Sequence, residues 1–332
     1  MKENKNELSR SNRTQGKKKK KRNRGCWRIL LIFLLIILGI GFYVYYEVRQ
    51  TTDTIHSDVD DERIIHTSRE TDQLDLDGDS FSMLLLGIDT DDDRAGAGST
   101  DKMQGRSDTI MVMTVNPEKE KTTLLSIPRD TYTEIVGKGF QDKINHAYAY
   151  GRAAMSMNTV QNMLDIPIDY YVSVNMEGIQ QIVDAVGGID ITPSMTFDQN
   201  GYSFTEGQSM HMDGAQALAY SRMRYEDPKG DYGRQSRQRE VVLTTLTKVA
   251  SFNSILNYQS VLNTMEDNVM TNLTFNDMVS MFLNYQSSLN NIEEIQLSGY
   301  GTRMDGVYYE IISEEDINEV SQQLKTELNI NE

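Results

Sequence analysis

An apolar run from Ile29 to Tyr46 limits this chain before anything else does: it is 18 residues long and carries no charge. At a helical rise of about 1.5 Å per residue it spans roughly 27 Å, close to the hydrocarbon thickness of a bilayer. Hydrocarbon offers no partner to a free backbone N–H, so such a segment crosses as a helix. Tyr43, Tyr45 and Tyr46 gather at its far end, where amphipathic rings favour the headgroup boundary. Residues 29–46 are therefore predicted to form one N-terminal transmembrane helix.

The flanks orient it. Residues 1–28 hold twelve Lys and Arg against Glu3 and Glu7, and only Arg49 and Arg63 follow closely on the other side. The positive-inside rule puts this tail in the cytosol and the C-terminal part outside, as a single-pass type II protein. A cleaved signal peptide would need small residues after the apolar core; here Tyr43-Val-Tyr-Tyr-Glu-Val-Arg49 stands instead. A basic block beside a membrane helix sets topology and touches anionic lipid. That reading is preferred to nucleic-acid binding.

The rest of the chain is acidic: beyond residue 28 there are 21 Lys and Arg against 47 Asp and Glu, a net of −26. Such a surface repels nucleic acid, and any positive cluster within it needs a reason. The one cysteine, Cys26, lies at the cytosolic edge of the anchor, so no disulfide staples the outer part and its core alone must hold it. Residues 47–80 are polar, acidic and weakly periodic, which predicts an extracytoplasmic stalk, with the folded domain at 81–332.

Within that domain Phe81–Ile88, Thr109–Val115, Thr122–Ile127 and Tyr170–Val174 are short apolar runs without alternation, the pattern of strands buried on both faces. Helical patterns cover Arg152–Leu164, Met176–Val186 before the stop at Gly187-Gly188, Gly214–Tyr220, Gly233–Phe252, Phe275–Leu289 and Ser313–Leu328, with a last strand at Ile292–Leu297. Strands mixed with helices imply an α/β fold, an α-β-α sandwich around a central mixed sheet.

Three segments carry candidate chemistry. Asp89 ends the first strand, and Gly105-Arg-Ser-Asp108 opens the second. Two carboxylates from adjacent strand ends suit a hard cation such as Mg²⁺, although an Arg106–Asp108 pair or a turn cap would explain them equally. In Ser126-Ile-Pro-Arg-Asp130, Pro128 ends the strand and sends Arg129 toward the sheet's end, where α/β sheets bind ligands; a structural Arg–Asp pair is the plainer reading. The third segment is the strongest. Tyr220-Ser-Arg-Met-Arg224 and Asp231-Tyr-Gly-Arg-Gln-Ser-Arg-Gln-Arg239 place five arginines within 18 residues of an acidic domain. On a helix Arg234 and Gln238 share a face, Arg237 lies next to it and Arg239 points elsewhere. Guanidinium forks match phosphate oxygens; pairing with Glu226, Asp227 and Asp231 is the alternative. Gly96-Ala-Gly98 fails as a dinucleotide fingerprint and reads as a mobile loop. The four histidines show no metal spacing.

Taken in order, LLLGID, GRSDTIMVMTVNP, LLSIPRDT, DKINHAYAYG, LAYSRMR and DYGRQSRQRE resemble the LytR-CpsA-Psr family of cell-wall enzymes over about Phe81 to Phe252. The resemblance implies a phosphotransferase that moves an anionic glycopolymer, wall teichoic acid or capsule, from an undecaprenyl-pyrophosphate carrier to peptidoglycan. It implies Mg²⁺ on Asp89 and Asp108, with Asp108, Arg129 and Asp89 as the catalytic set. It implies pyrophosphate contacts from Arg106, Arg129, Lys143, Arg222, Arg224, Arg234 and Gln238, and a polar position near the head group at Asp231. An apolar tunnel for the polyprenyl chain is expected among the helices. The loop from Asp89 to Arg106 departs from the pattern in its length and its Asp91-Asp-Asp93; it could fold over the substrate, or its acids could compete for the cation. A lipid-binding surface protein or a membrane regulator without transferase activity is the competing reading; the second would have to work through a cytosolic tail too short for a DNA-reading helix pair.

Overall fold

The computed structural model describes residues 46, 49–52, 54–59, 64, 66, 69, 74–90, 101–249 and 268–330. The expected cytosolic tail, the expected membrane helix apart from Tyr46, and the loop with Gly96 and Gly98 lie outside them. Among the described residues no helix is long and apolar enough to cross a membrane.

Six strands make the central sheet. β1 (Phe81–Asp89), β2 (Arg106–Asn116) and β3 (Lys121–Ser126) are successive antiparallel neighbours. β4 (Tyr170–Asn175) runs parallel to β1, β5 (Val269–Thr271) antiparallel to β4, and β6 (Ile292–Gln296) parallel to β3. The order β5-β4-β1-β2-β3-β6 is a mixed sheet, as expected. The helices are α1 (His146–Leu164), α2 (Met176–Ala185), α3 (Gly214–Arg222), α4 (Asp231–Val249), α5 (Phe275–Asn284) and α6 (Glu314–Glu327).

β1 shows why the strand runs lack polar alternation. Leu84, Leu86 and Ile88 enter a core with Met157, Val160 and Leu164 of α1 and Val320 and Leu324 of α6. Phe81 and Met83, on the other face, pack with Met111 and Met113 against residues of α4 and α5, among them Leu246 and Met281. Both faces are dry, so both parities of the strand are apolar. Truncating fully buried Leu84 to Ala is expected to cost about 2–5 kcal/mol.

Local signals set the helix ends. Asn175 caps α2 by accepting a hydrogen bond from the Gly178 N–H, and Gly187 and Gly188, both at φ 83°, turn the chain out of it. Ser313 caps α6 through the Asp316 N–H. α5 stops at Asn284, short of the expected Leu289, because residues Gln286–Asn290 wind into a tighter 3₁₀ turn. α1 starts at His146 but breaks at Gly151 and Arg152, so the expected helix from Arg152 matches its longer, regular part.

The stalk boundary needs correction. The compact unit begins at Val48, not Phe81. Ile55 and Val59 are buried, the Ser57 N–H donates to the Thr271 carbonyl at 2.8 Å, and Arg69 pairs with buried Asp169 at 2.8 Å. Two apolar residues four apart among acids anchor this stretch to the body, and average polarity concealed them.

Candidate functional site

Antiparallel pairing brings the end of β1 to the start of β2, so Asp89 and Arg106 stand opposite each other. The register shifts between Gly87, which faces Thr109, and Ile88, which faces Ser107. Asp108 is the extra residue, and a bulge of this kind re-aims a side chain. Ser107 and Ile110 are buried, while Asp108 and Thr109 between them are both half-buried. Gly87 allows the close crossing: a Cβ there would stand 2.9 Å from the Thr109 Cβ.

The turn after β3 brings Arg129 to the same end of the sheet. Its guanidinium pairs with Asp108, and its Nε lies 3.7 Å from Asp130 Oδ2. Asp130 in turn holds Lys143 Nζ at 2.6 Å. Asn145 ties the other side: its Nδ2 donates to Asp108 Oδ1 at 3.3 Å, and its backbone N–H donates to the Arg129 carbonyl at 3.2 Å. Burial works against the charge of Arg129, but Asp108, Asp130 and Asp231 outweigh it and hold its pKa above the usual value.

α4 adds the second half. Arg234 is 9% exposed, and its Nη2 lies 2.6 Å from Asp231 Oδ1; Arg224 Nε lies 3.5 Å from the same oxygen. The Arg234 pKa is pushed down, by burial first and then by Arg129 and Arg224, against the pull of Asp231 and Asp108. These charges therefore feel one another, and the segments singled out in sequence converge. Arg234 Nε has no partner and Nη2 has only its ion contact with Asp231, while Gln238 Oε1 one turn further on makes no hydrogen bond. A buried donor left unpaired costs about 1–3 kcal/mol, more when charged. Open guanidinium donors in a positive neighbourhood are suited to an oxyanion.

The other arginines separate. Arg222 is exposed at the end of α3, and the extended Met223 sets its own buried side chain opposite Arg222 and Arg224. Arg237 binds Asp227 at 2.7 Å and the Met223 carbonyl at 2.6 Å; Arg239 binds Glu294, Ser126 and Gln296. These two tie elements together away from the cluster. Arg106 acts electrostatically on the Tyr150 hydroxyl. The sequence reading passed over Asn145; its one signal was a polar residue at a helix start, where a cap is the ordinary explanation.

An apolar cavity of about 230 Å³ opens beside this cluster. Gly87 and Thr109, which flank the bulge at Asp108, belong to its wall, with Met111 and Val172 of the sheet, Ile179 of α2 and Leu246 of α4. It lies between the sheet and the helices α2 and α4.

Among the described residues no group of three or more His, Cys, Asp or Glu is placed to hold a metal. Asp89 and Asp108 leave adjacent strands at one end of the sheet, and Asn145 Oδ1, from the amide that holds Asp108, is buried without a partner. Two carboxylates and a spare amide oxygen are donors of the kind that a hard cation takes, although both Asp108 oxygens are engaged here, by Arg129 and Asn145.

The LytR_cpsA_psr family model matches residues 42–326. A polyisoprenyl-teichoic acid–peptidoglycan teichoic acid transferase, TagU, of Enterococcus faecalis is 47% identical over 302 residues, 91% of this chain and 95% of its own. The TagU of Bacillus subtilis is 40% identical over 317 residues, 95% of this chain and 99% of its own. The crystal structure of B. subtilis TagU superposes with a TM-score of 0.60 at 42% identity, over 76% of this chain and 97% of that one. TagT bound to LIIa-WTA superposes with a TM-score of 0.66 at 33% identity, over 80% and 97%.

Proposed function

This chain belongs to the LytR_cpsA_psr family, and from that premise we infer that it transfers an anionic glycopolymer of the teichoic-acid class from a polyisoprenyl-pyrophosphate carrier to peptidoglycan. The observation that carries this reading is the pairing of an apolar cavity with a cluster of arginines at its side, one of them buried with its Nε unpaired, in a domain of strongly negative charge. A lipid diphosphate has that duality: a hydrocarbon chain for the cavity and a polyanionic head for Arg129, Arg224 and Arg234. Lys143 braces Arg129 through Asp130. Arg106 and the exposed Arg222 would add positive charge at the edge of the cluster, and the neutral Gln238 amide would add a hydrogen-bond donor.

A sugar hydroxyl of the acceptor attacks the phosphorus that bears the glycopolymer. The bond from that phosphorus to the oxygen of polyisoprenyl phosphate breaks, a phosphodiester to the acceptor forms, and the hydroxyl proton passes to Asp89 or Asp108. Positioning and charge neutralisation supply most of such a reaction. Arg129 and Arg234 hold the charge that builds on the leaving phosphate. Asp89 and Asp108 would hold Mg²⁺, which when bound supplies further neutralisation of the diphosphate. The anchor read from the sequence at residues 29–46 would tether the chain to the membrane that carries such a donor.

The test uses the full chain in lipid nanodiscs, a lipid-pyrophosphate donor with a labelled glycopolymer, and peptidoglycan oligomers. Arg129→Ala and Asp108→Ala are each expected to abolish transfer with the fold intact, and full activity in either overturns the assignment. Chelation is expected to stop transfer and added Mg²⁺ to restore it; activity that persists in chelator removes the metal from the reading.

A further inference from the structure

One flank of the cluster, Lys143 apart, has no part in the reaction as written. It consists of the hairpin of Tyr132–Ile135 and Phe140–Lys143 together with the first turn of α1. Phe140 is 45% exposed and Tyr150 42%. Their rings meet edge to face, with centroids 5.8 Å apart at 89°. Asp142 sits at their edge, where it accepts a hydrogen bond from the Tyr150 hydroxyl at 2.9 Å and pairs with His146 Nδ1 at 2.7 Å. Lys138 Nζ lies 5.5 Å from the centroid of the Tyr150 ring.

The backbone presents this shelf at a cost. α1 breaks after Tyr150, and Arg152 holds φ 54°, a conformation L residues seldom adopt. Arg152 is kept there by its bonds to Asp101 and the Met103 carbonyl. The turn from His146 to Tyr150 thus takes its own direction beside Phe140.

The shelf is continuous with the head-group cluster. Lys143, the last residue of the hairpin, binds Asp130. Asn145, the residue before His146, holds Asp108. Arg106 acts on the Tyr150 hydroxyl. An acceptor lying across these rings would therefore have the reacting phosphorus beside it. The hairpin from Tyr132 to Lys143 carries Glu134 and Asp142 against Lys138 and Lys143, no net charge, in a domain at −26. Exposed rings in a neutral patch, rimmed by a carboxylate and an imidazole, match a sugar chain: C–H faces lie on the rings and hydroxyls reach the polar rim. A polyanionic donor polymer gains nothing on a neutral shelf and is drawn to Arg224 and Arg234 instead.

We propose that Phe140 and Tyr150, with Asp142 and His146 at their edge, dock the glycan strand of the acceptor, an uncharged N-acetylhexosamine chain, and present one of its hydroxyls to the head-group site. This rests on the transferase reading for its purpose, but not for its test. With the full chain in nanodiscs, the Phe140→Ala/Tyr150→Ala double variant is expected to raise the KM for peptidoglycan oligomers about tenfold. The donor KM and the rate at saturation of both substrates are expected to stay. Tyr150→Phe keeps the ring and is expected to keep binding, whereas Phe140→Leu/Tyr150→Leu keeps apolar bulk and is expected to lose it. A rise in donor KM with acceptor KM unchanged overturns the proposal in favour of a donor shelf. Weakened binding to vesicles free of peptidoglycan overturns it in favour of a membrane contact. Retention on peptidoglycan stripped of teichoic acid decides the matter independently of turnover. If the unaltered protein transfers nothing, the transferase reading fails, yet loss of retention in the double variant still upholds the shelf and equal retention overturns it.

Discussion

Arg234 and Arg237 stand one turn apart on α4 and both are buried, yet their surroundings differ in kind. Both terminal nitrogens of Arg237 are engaged, one by Asp227 and the other by the Met223 carbonyl, and its guanidinium lies 5.5 Å from the centroid of the Phe197 ring. Arg234 has an ion contact with Asp231, no hydrogen bond from Nε or Nη2, and two further arginines, Arg129 and Arg224, acting on it. Nε is unpaired in both, but the fold engages both terminal nitrogens of the first cation and leaves Nη2 of the second with an ion contact alone. A completed buried charge holds elements together. An incomplete one is held in place by them, a strain that persists where a ligand benefits from it.

The largest expected effect tests the completed end. Asp227→Ala leaves Arg237 buried and uncompensated, which costs about 3–5 kcal/mol, read as a fall in the urea midpoint at constant slope. Asp227 also rests against Gly233, where a Cβ would meet its Oδ2 at 1.8 Å, so Gly233→Ala should displace the same carboxylate and destabilise in the same direction. A loss below about 1 kcal/mol for Asp227→Ala would mean that Arg237 is not held by charge pairing. Next comes the incomplete end. Arg234→Ala is expected to leave stability unchanged or raise it, because it removes a buried charge with open donors. Transfer should fall about 10²- to 10³-fold, the usual effect of losing one preorganised donor. A destabilisation as large as that of Asp227→Ala would place Arg234 in the fold and erase the contrast.

That contrast was only half legible in sequence. On a helical wheel Arg234 and Arg237 lie side by side and Arg239 points elsewhere, but the wheel does not tell a structural cation from an open one. What separates them is distant in the chain: Arg239 meets Glu294 and Gln296, and Arg237 meets a turn before the helix begins. Residues whose partners are local read well. The dry strands, the Gly187-Gly188 stop and the Ser313 cap all follow from composition within a few positions. The clustering of Asp108, Arg129 and the arginines was readable as a charge anomaly. The bulge that aims Asp108 was not, because it depends on Gly87 across the sheet. Nor was the attachment of Ile55 and Val59 to the body, since two apolar residues among acids make no period.

Acid titration sharpens the comparison further. Burial raises the pKa of Asp227, but bonds from Arg237 and the Lys229 N–H outweigh it, so the carboxyl lies below its usual range. A depressed carboxylate stabilises above its unfolded pKa, about 3.9, and that contribution is lost as pH falls through the folded value. The stability gap between the unaltered protein and Asp227→Asn should therefore be full at pH 6 and close progressively below about pH 4. A gap that stays constant down to pH 3 would show that hydrogen bonding alone, without charge, maintains the Arg237 end.

The smallest effect asks how far the completed end reaches along α4. Tyr220 donates to Glu240 Oε2 at 2.7 Å. Burial, with help from Glu294, raises the Glu240 pKa despite the opposing pull of Tyr220 and Arg237. A carboxyl whose pKa is raised on folding is penalised when ionised. Its stabilising effect is complete below the unfolded value, about 4.3, and is lost as pH rises through the folded one. Glu240→Gln keeps an acceptor for Tyr220 and removes the charge. It should then gain a few tenths of a kcal/mol, to about 1, at pH 7 and nothing at pH 4. Equal stability of the two proteins at both values would mean that Arg237 neutralises Glu240 as well as Asp227. The completed end would then extend a further turn, and the positive character of α4 would be confined to the turn that carries Arg234.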